Sequence, residues 1–259
     1  MRSAGRVFII MVVSAVILFA VVCGALFAFQ RSLIYYPQPR SNPEGSILMT
    51  LRVGTATVHV SNRPHVGAAA LIYFGGNAED VSQDIPDLAD AFPDRAIYAL
   101  HYPGYGGSSG SPSQKAIFAA SLALFDRVHA EHQNVVVVGR SLGSGVAVWI
   151  ASQRPIARLI LVTPFDSLAD IASEQYRFVP VRWLLRDKFE SWRYAPTVKA
   201  QTRIIVAEND ELVPRFSSDR LRSRFQEGLV SYIVVPKVGH NTIQDSQGYW
   251  DLLNGDFRR

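Results

Sequence analysis

Short, continuously apolar runs recur along the chain and constrain its fold more than any other feature. After an alternating segment at 55–60, such runs occur at 68–74, 96–100, 135–138, 159–162, 203–206 and 231–235. Segments with helical character separate them, such as 114–131 and 142–152. Strands that are apolar throughout are typical of a parallel sheet, because helices then cover both of its faces. The sequence therefore predicts an α/β domain built on a mostly parallel sheet.

The N-terminal segment is apolar enough to cross a membrane. Val7–Phe29 comprises 23 residues without a charge. As a helix it would be about 35 Å long, which exceeds a hydrocarbon core of about 30 Å. We predict a transmembrane helix over 7–29, within an anchor of residues 1–30 that precedes a catalytic domain over 31–259. Arg2 and Arg6 precede the span, so the positive-inside rule favours a cytoplasmic N-terminus and a domain on the non-cytoplasmic side.

Two alternatives exist for this segment. A cleaved signal peptide usually has an apolar region of only about 7–15 residues and ends in a small-residue cleavage site, which is not evident here. Lipid attachment at Cys23 is disfavoured because Val21 and Val22 precede it, where small residues would be expected. We predict an uncleaved, single-pass anchor.

Composition and charge narrow the function classes. The formal net charge is +4, with no dense basic run, so weak attraction to anionic lipid is a better interpretation than nucleic-acid binding. One cysteine excludes an intrachain disulfide. No His/Cys/Asp cluster has metal-ligand spacing, and no lysine follows the glycines as in a phosphate-binding loop. We therefore expect neither a metal nor a cofactor.

The segment Gly139-Arg140-Ser141-Leu142-Gly143 follows four valines and precedes an apolar helix. G-x-S-x-G between a buried strand and a helix is the nucleophile-elbow pattern. The turn is so tight that the residues flanking the serine need to lack bulky side chains. The start of the helix also directs free amides at an oxyanion formed on the serine. Ser141 is therefore the candidate nucleophile.

A nucleophilic serine needs a histidine base and an acid that orients it, in the chain order serine, acid, histidine. Of the six histidines, only His240 follows both the serine and a predicted strand. Asp210, directly after the run 203–206, is the preferred acid. Glu208 and Glu211 are close enough to compete, and Asp166, after the preceding strand, is the main alternative.

The oxyanion hole is predicted at the turn after the first parallel strand. Residues 73–77 read YFGGN, a glycine-rich strand-to-helix turn that can present a backbone N–H to the serine. We assign the backbone amides of Asn77 and Leu142 as the two donors.

Residues 164–200 interrupt the alternation without a clear strand. They are interpreted either as a helical cap over the active site or as an extra helical hairpin on the core. Phe178, Trp183, Leu184, Leu185 and Trp192 would form an apolar surface near the bilayer.

With these motifs the chain resembles the α/β-hydrolases, and within them the membrane-anchored serine hydrolases of the bud-emergence type. The resemblance rests on Gln30–Pro37, Tyr102–Gly110, Gly139–Gly143, Asp210–Pro214 and Gly239-His240-Asn241. It implies an eight-stranded, mostly parallel sheet with helices on both faces, and it favours Asp210 over Asp166. The sequence departs from the family pattern at two positions. Gly75 stands where the family usually has a histidine in the oxyanion turn, and His101 stands where it usually has an acid before the Y-x-G-Y-G loop.

Members of this group with assigned activities hydrolyse carboxylic esters, lipid esters or acyl thioesters. We therefore expect a membrane-anchored serine hydrolase that acts on a small acyl ester or lipid through a Ser141–His240–Asp210 triad. The alternatives are a serine peptidase of the same fold and a non-catalytic binding module on a hydrolase scaffold. The sequence leaves the oligomeric state open.

Overall fold

A computed structural model describes residues 2–41 and 46–255, and one eight-stranded sheet lies at its centre. Residues 1, 42–45 and 256–259 of the predicted anchor and domain lie outside the described residues. The strands are β1 (Ile47–Val53), β2 (Ala56–Arg63), β3 (Ala69–Phe74), β4 (Ala96–Leu100), β5 (Asn134–Arg140), β6 (Arg158–Val162), β7 (Gln201–Ala207) and β8 (Val230–Val235).

The sheet has the order β1-β2-β4-β3-β5-β6-β7-β8. β1 and β2 pair antiparallel, as do β2 and β4, and all other neighbours are parallel. The alternating segment is confirmed as β2, and the six apolar runs are confirmed as β3 to β8. β1 was not predicted: most of its side chains are exposed or half-buried at the sheet edge, so it lacks an uninterrupted apolar run.

Helices cover both faces of the sheet, as predicted. The α-helices of the described residues are α1 (Arg2–Ile34), α2 (Ile85–Ala91), α3 (Gln114–His129), α4 (Leu142–Gln153), α5 (Leu168–Gln175), α6 (Val181–Leu184), α7 (Arg215–Arg222) and α8 (Tyr249–Asn254). Core residues of α3, α4 and α7 pack on one face of the sheet, and those of α2 and α8 pack on the other. Successive residues of each central strand enter opposite cores, because side chains alternate along a strand.

Helix α1 is long and apolar enough to cross a membrane, and its apolar side chains from Val7 to Val22 are largely exposed. The apolar segment predicted over 7–29 lies within it.

The C-terminal end of α1 is fixed to residues 164–200, which we call the cap segment. The buried Gln30 side chain donates to the Leu184 carbonyl at 3.2 Å and accepts from the Arg186 amide at 2.7 Å. The Arg31 guanidinium pairs with the Asp187 carboxylate at 3.0 Å. This end of the apolar helix is therefore part of the folded domain.

The tight approach of α4 to β3 depends on glycine. A Cβ atom on Gly143 would overlap the Phe74 carbonyl oxygen, and one on Gly139 would overlap the Gly143 carbonyl. Backbone atoms cannot yield as flexible side chains do. The first turn of α4 therefore tolerates no side chain where it meets β3.

We predict that Gly143→Ala lowers the free energy of unfolding by about 3 kcal/mol or more, because overpacking against backbone cannot relax. Thermal unfolding of the detergent-solubilised protein, followed by circular dichroism, measures the change. Gly145→Ala is the matched control. A Cβ at Gly145 comes no closer than 3.3 Å to Phe189, and alanine favours the helix, so its stability should stay within about 1 kcal/mol of wild type. Equal stability of the two variants would contradict the prediction.

His101 has a structural position at the end of β4. Its ring is 2% exposed, and Nε2 lies 2.9 Å from the Ser61 hydroxyl on β2. Burial lowers the pKa of His101 to about 4, and the charge of Asp80 only partly opposes this. The folded protein therefore holds this imidazole neutral.

Because the pKa of His101 is lower in the folded protein than in the unfolded chain, the unfolded chain binds the proton more readily between about pH 6.5 and 4. Stability from neutral His101 is complete above about pH 6.5 and is lost as the pH falls toward 4. We predict that wild type loses about 2 kcal/mol more than His101→Gln between pH 7 and pH 5. Urea unfolding at both pH values measures this difference, and identical pH slopes for the two proteins would exclude it.

Candidate active site

Ser141 lies at the turn between β5 and α4. Its backbone has φ 49° and ψ −118°, a conformation that a residue with a side chain rarely adopts. The Ser141 amide donates to the Val162 carbonyl of β6 at 2.9 Å. The turn thereby presents the hydroxyl above the carboxyl end of the sheet, where it meets the loop that follows β8.

That loop carries His240, whose Nε2 lies 2.9 Å from the Ser141 hydroxyl oxygen. On the other side of the ring, Nδ1 lies 2.9 and 3.0 Å from the two carboxylate oxygens of Asp210. The amides of Leu212 and Val213 donate to Asp210 Oδ1 at 3.0 and 2.7 Å and hold the carboxylate toward the ring. The structure thus brings the predicted serine, acid and histidine into one hydrogen-bonded chain.

The alternative acids occupy other positions. Glu211 accepts a hydrogen bond from the His240 backbone amide at 3.0 Å, and Glu208 accepts one from the Lys237 amide. Asp166 is buried and lies 3.6 Å from the Arg220 guanidinium. Burial raises the pKa of Asp166, and Arg220 opposes that shift. Of the four candidates, only Asp210 contacts the imidazole side chain.

The predicted oxyanion turn lies beside Ser141. The Asn77 side chain donates to the Ile34 carbonyl at 2.9 Å, and the Asn77 carbonyl accepts from the Tyr36 amide at 3.0 Å. Asn77, Leu142 and Ser141 line the same cavity. Within the described parts of the chain, the Asn77 amide donates no hydrogen bond. Leu142 is the first residue of α4, and the N–H groups of a helix's first turn have no partner within the helix. Both predicted donors are therefore free to bind an oxygen atom.

A buried ion pair, which the sequence analysis missed, supports this turn. Arg140 Nη1 lies 2.6 Å from Glu79 Oε2, and both side chains are about nine-tenths buried. The same carboxylate accepts from the Gly76 amide at 2.8 Å and from the Tyr73 hydroxyl at 2.6 Å. Glu79 thereby joins the oxyanion turn to the residue before Ser141. An arginine in an otherwise apolar G-x-S-x-G turn is the sequence signal for such a partner.

Two cavities meet at Ser141. The first, which we call the apolar cavity, has a volume of about 460 Å³. Its walls include Leu26, Leu33, Leu168, Ile171, Leu184 and Leu185, contributed by α1 and the cap segment. The second, the polar cavity, has a volume of about 400 Å³. Its lining includes Gln38, Asp80, Gln83, Arg140, His240 and Gln244.

Leu184 and Leu185 differ from their predicted position at a bilayer surface, because both face the apolar cavity. Phe178 and Trp183 are 91% and 90% exposed, as that surface requires.

Across residues 5–41 and 46–255, no group of three or more His, Cys, Asp or Glu side chains is arranged to hold a metal ion.

Comparison with known proteins gives consistent matches. The family model for the alpha/beta hydrolase fold matches residues 70–195. An uncharacterised protein of Mycobacterium tuberculosis, Rv2307c, is 34% identical over 89% of this chain and 85% of its own length. Protein bem46 of Schizosaccharomyces pombe is 24% identical over 89% and 86% of the two chains. The esterase Pf2001 of Pyrococcus furiosus superposes with a TM-score of 0.70 over 86% and 95%, at 15% identity.

Proposed function

This chain belongs to the α/β-hydrolase family, and we propose that it is a membrane-anchored serine hydrolase that cleaves carboxylic ester or thioester bonds of acyl or lipid substrates. The observation that carries the proposal is the hydrogen-bonded chain Ser141–His240–Asp210 at the junction of an apolar and a polar cavity. The strained turn at Ser141 and the two free backbone donors beside it complete the requirements of acyl transfer.

Acylation begins when Ser141 Oγ attacks the substrate carbonyl carbon and His240 Nε2 takes the hydroxyl proton. Asp210 keeps Nδ1 protonated, so that Nε2 is the basic nitrogen, and it stabilises the imidazolium that forms. The carbonyl oxygen becomes negatively charged, and the amides of Asn77 and Leu142 bind it. One such donor is typically worth about 3 kcal/mol of barrier lowering.

The tetrahedral intermediate then collapses. The bond from the carbonyl carbon to the leaving oxygen or sulfur breaks, and His240 gives its proton to the departing atom. Water enters, His240 removes one of its protons, and the resulting hydroxide attacks the acyl carbon. The second collapse releases the acid and returns the proton to Ser141. The cycle consumes one water and needs no cofactor.

The apolar cavity supports an acyl substrate. Leucine and isoleucine side chains of α1 and the cap segment line it, and Ser141 is part of the same lining. Transfer of each methylene group from water into such a cavity is worth about 0.8 kcal/mol. A chain of several carbons would therefore be held with its carbonyl beside Ser141.

Membrane attachment is part of the proposal. We propose that α1 crosses the bilayer once and is retained, with the domain on the non-cytoplasmic side. The exposed Phe178 and Trp183 lie on the cap segment, which is hydrogen-bonded to the C-terminal end of α1. Exposed aromatic side chains of this kind favour the interface between lipid and water. The opening of the apolar cavity would then lie close to the lipid surface.

We predict that a fluorophosphonate probe labels wild type in membranes at 28.7 kDa, the mass of the whole chain, and does not label Ser141→Ala. Asp210→Asn should lower kcat for a short aryl ester by about 10⁴-fold, since the histidine tautomer is then lost. Asp166→Asn is the matched control and should stay within about threefold of wild type, because Asp166 does not contact His240.

The same labelling tests the alternatives. A membrane-impermeant probe applied to vesicles of known orientation reports the side of the domain, and a smaller labelled band would indicate cleavage of α1. Folded wild type that reacts with no probe would contradict the proposed function and favour a binding module.

We predict that Ala172→Phe lowers the ratio of kcat/KM for long-chain over short-chain esters by about tenfold, since the ring fills part of the apolar cavity. Esters of 4 and 16 carbons with one common alcohol measure that ratio. Glu174→Phe adds the same ring to α5 at an exposed position outside the cavity and serves as the control. An unchanged ratio in Ala172→Phe would exclude this cavity as the acyl site.

A further inference from the structure

The two cavities that meet at Ser141 differ in whether His240 is part of their lining. His240 lines the polar cavity together with Ser141, and it does not line the apolar cavity. The leaving group of an ester receives its proton from His240 Nε2, so it departs on the side of the serine where the imidazole lies. The mechanism therefore assigns the two ends of a substrate to different cavities, with the acyl chain in the apolar one.

Among the described residues that line the polar cavity, none carries a cation that is free to pair with an anion. Arg140 is the single lysine or arginine among the described residues that line it, and Glu79 neutralises it at 2.6 Å. Asp80 adds a fixed negative charge. Burial opposes ionisation of Asp80, but hydrogen bonds from Ser82 and Ser41 lower its pKa below the usual range.

The remaining lining groups suit an uncharged alcohol. Burial, the neighbouring charge of Glu79 and a side-chain hydrogen bond to Glu79 raise the pKa of Asp84, so the neutral form of this carboxyl is favoured. The side-chain amides of Gln38, Gln83 and Gln244 supply both donors and acceptors. Hydroxyl groups can bond to these amides, whereas a phosphate would face the charge of Asp80 with no free counter-ion among the described lining residues.

We propose that the polar cavity is the leaving-group site and that it selects a small uncharged alcohol with further hydroxyl groups, of the glycerol type, over a phosphate-bearing one. This inference rests on the proposed function and specifies its substrate class. In the acylation step the carbonyl carbon forms a bond to Ser141 Oγ and loses its bond to the glycerol oxygen. That oxygen takes the proton that His240 removed from Ser141, so glycerol leaves as a neutral alcohol.

Two substrates with one acyl chain test the inference. Monooleoylglycerol and oleoylglycerol 3-phosphate differ only in the phosphate, and both are presented at equal mole fraction in phosphatidylcholine vesicles. We expect wild type to prefer the uncharged ester by about tenfold or more in kcat/KM at 0.15 M salt, where a charge still acts within about 8 Å.

Matched charge variants locate the selectivity. Gln244→Lys places a cation in the polar cavity at a side chain that makes no hydrogen bond among the described residues. It should reduce the preference at least about threefold, since the added charge attracts the phosphate. Gln247→Lys makes the same change on an exposed residue outside the cavity and should alter the preference less than about twofold.

The outcomes separate this inference from the proposed function. Equal or faster cleavage of the phosphate ester by wild type, or the same shift in both lysine variants, overturns the inference. Probe labelling of Ser141 and turnover of a short aryl ester without cleavage of monooleoylglycerol also overturns it, while the proposed function stands. Absence of both labelling and turnover means that the proposed function itself has failed.

Discussion

The first turn of α4 packs directly against the end of β3, and the site depends on this close backbone contact. Because the Gly143 backbone lies against the Phe74 carbonyl, the turn that carries Ser141 is held beside the turn that follows β3. The serine then has a positive φ, and this strain is sustained by the packing of the valine strand and the apolar helix around it. Backbone packing therefore positions the proposed nucleophile and the proposed oxyanion donors before a substrate binds.

The Arg140–Glu79 pair adds a second connection between the same two turns. Burying an arginine and a glutamate is costly unless their hydrogen-bonding groups are satisfied. Here the glutamate accepts from a guanidinium, a backbone amide and a tyrosine hydroxyl. Removing either charged side chain would leave the other charge unpaired in a nearly dry environment. The pair therefore connects the predicted oxyanion turn to the residue that precedes Ser141. It also neutralises Arg140, the one lysine or arginine among the described residues that line the polar cavity.

Alternation predicted β2, apolar continuity predicted β3 to β8, and loop order singled out His240. Loop order together with the family resemblance favoured Asp210 over Asp166. β1 was missed since an edge strand needs no continuous apolar run. The Arg140–Glu79 pair joins residues 61 positions apart and follows only from the adjacency of β3 and β5. The two cavities depend on how α1 packs against the cap segment. No sequence pattern in either segment indicates that packing.

The fixed end of α1 has a consequence for the kinetics of the proposed enzyme. In the proposed membrane arrangement, α1 crosses the bilayer and also forms part of the cavity wall, so the serine would be held at one height above the lipid and not at the end of a flexible tether. Encounters would then take place by lateral diffusion in two dimensions. The quantity that sets the rate is the mole fraction of substrate in the surrounding leaflet, so a chemically identical ester in bulk water reaches the serine only after it has partitioned into that leaflet.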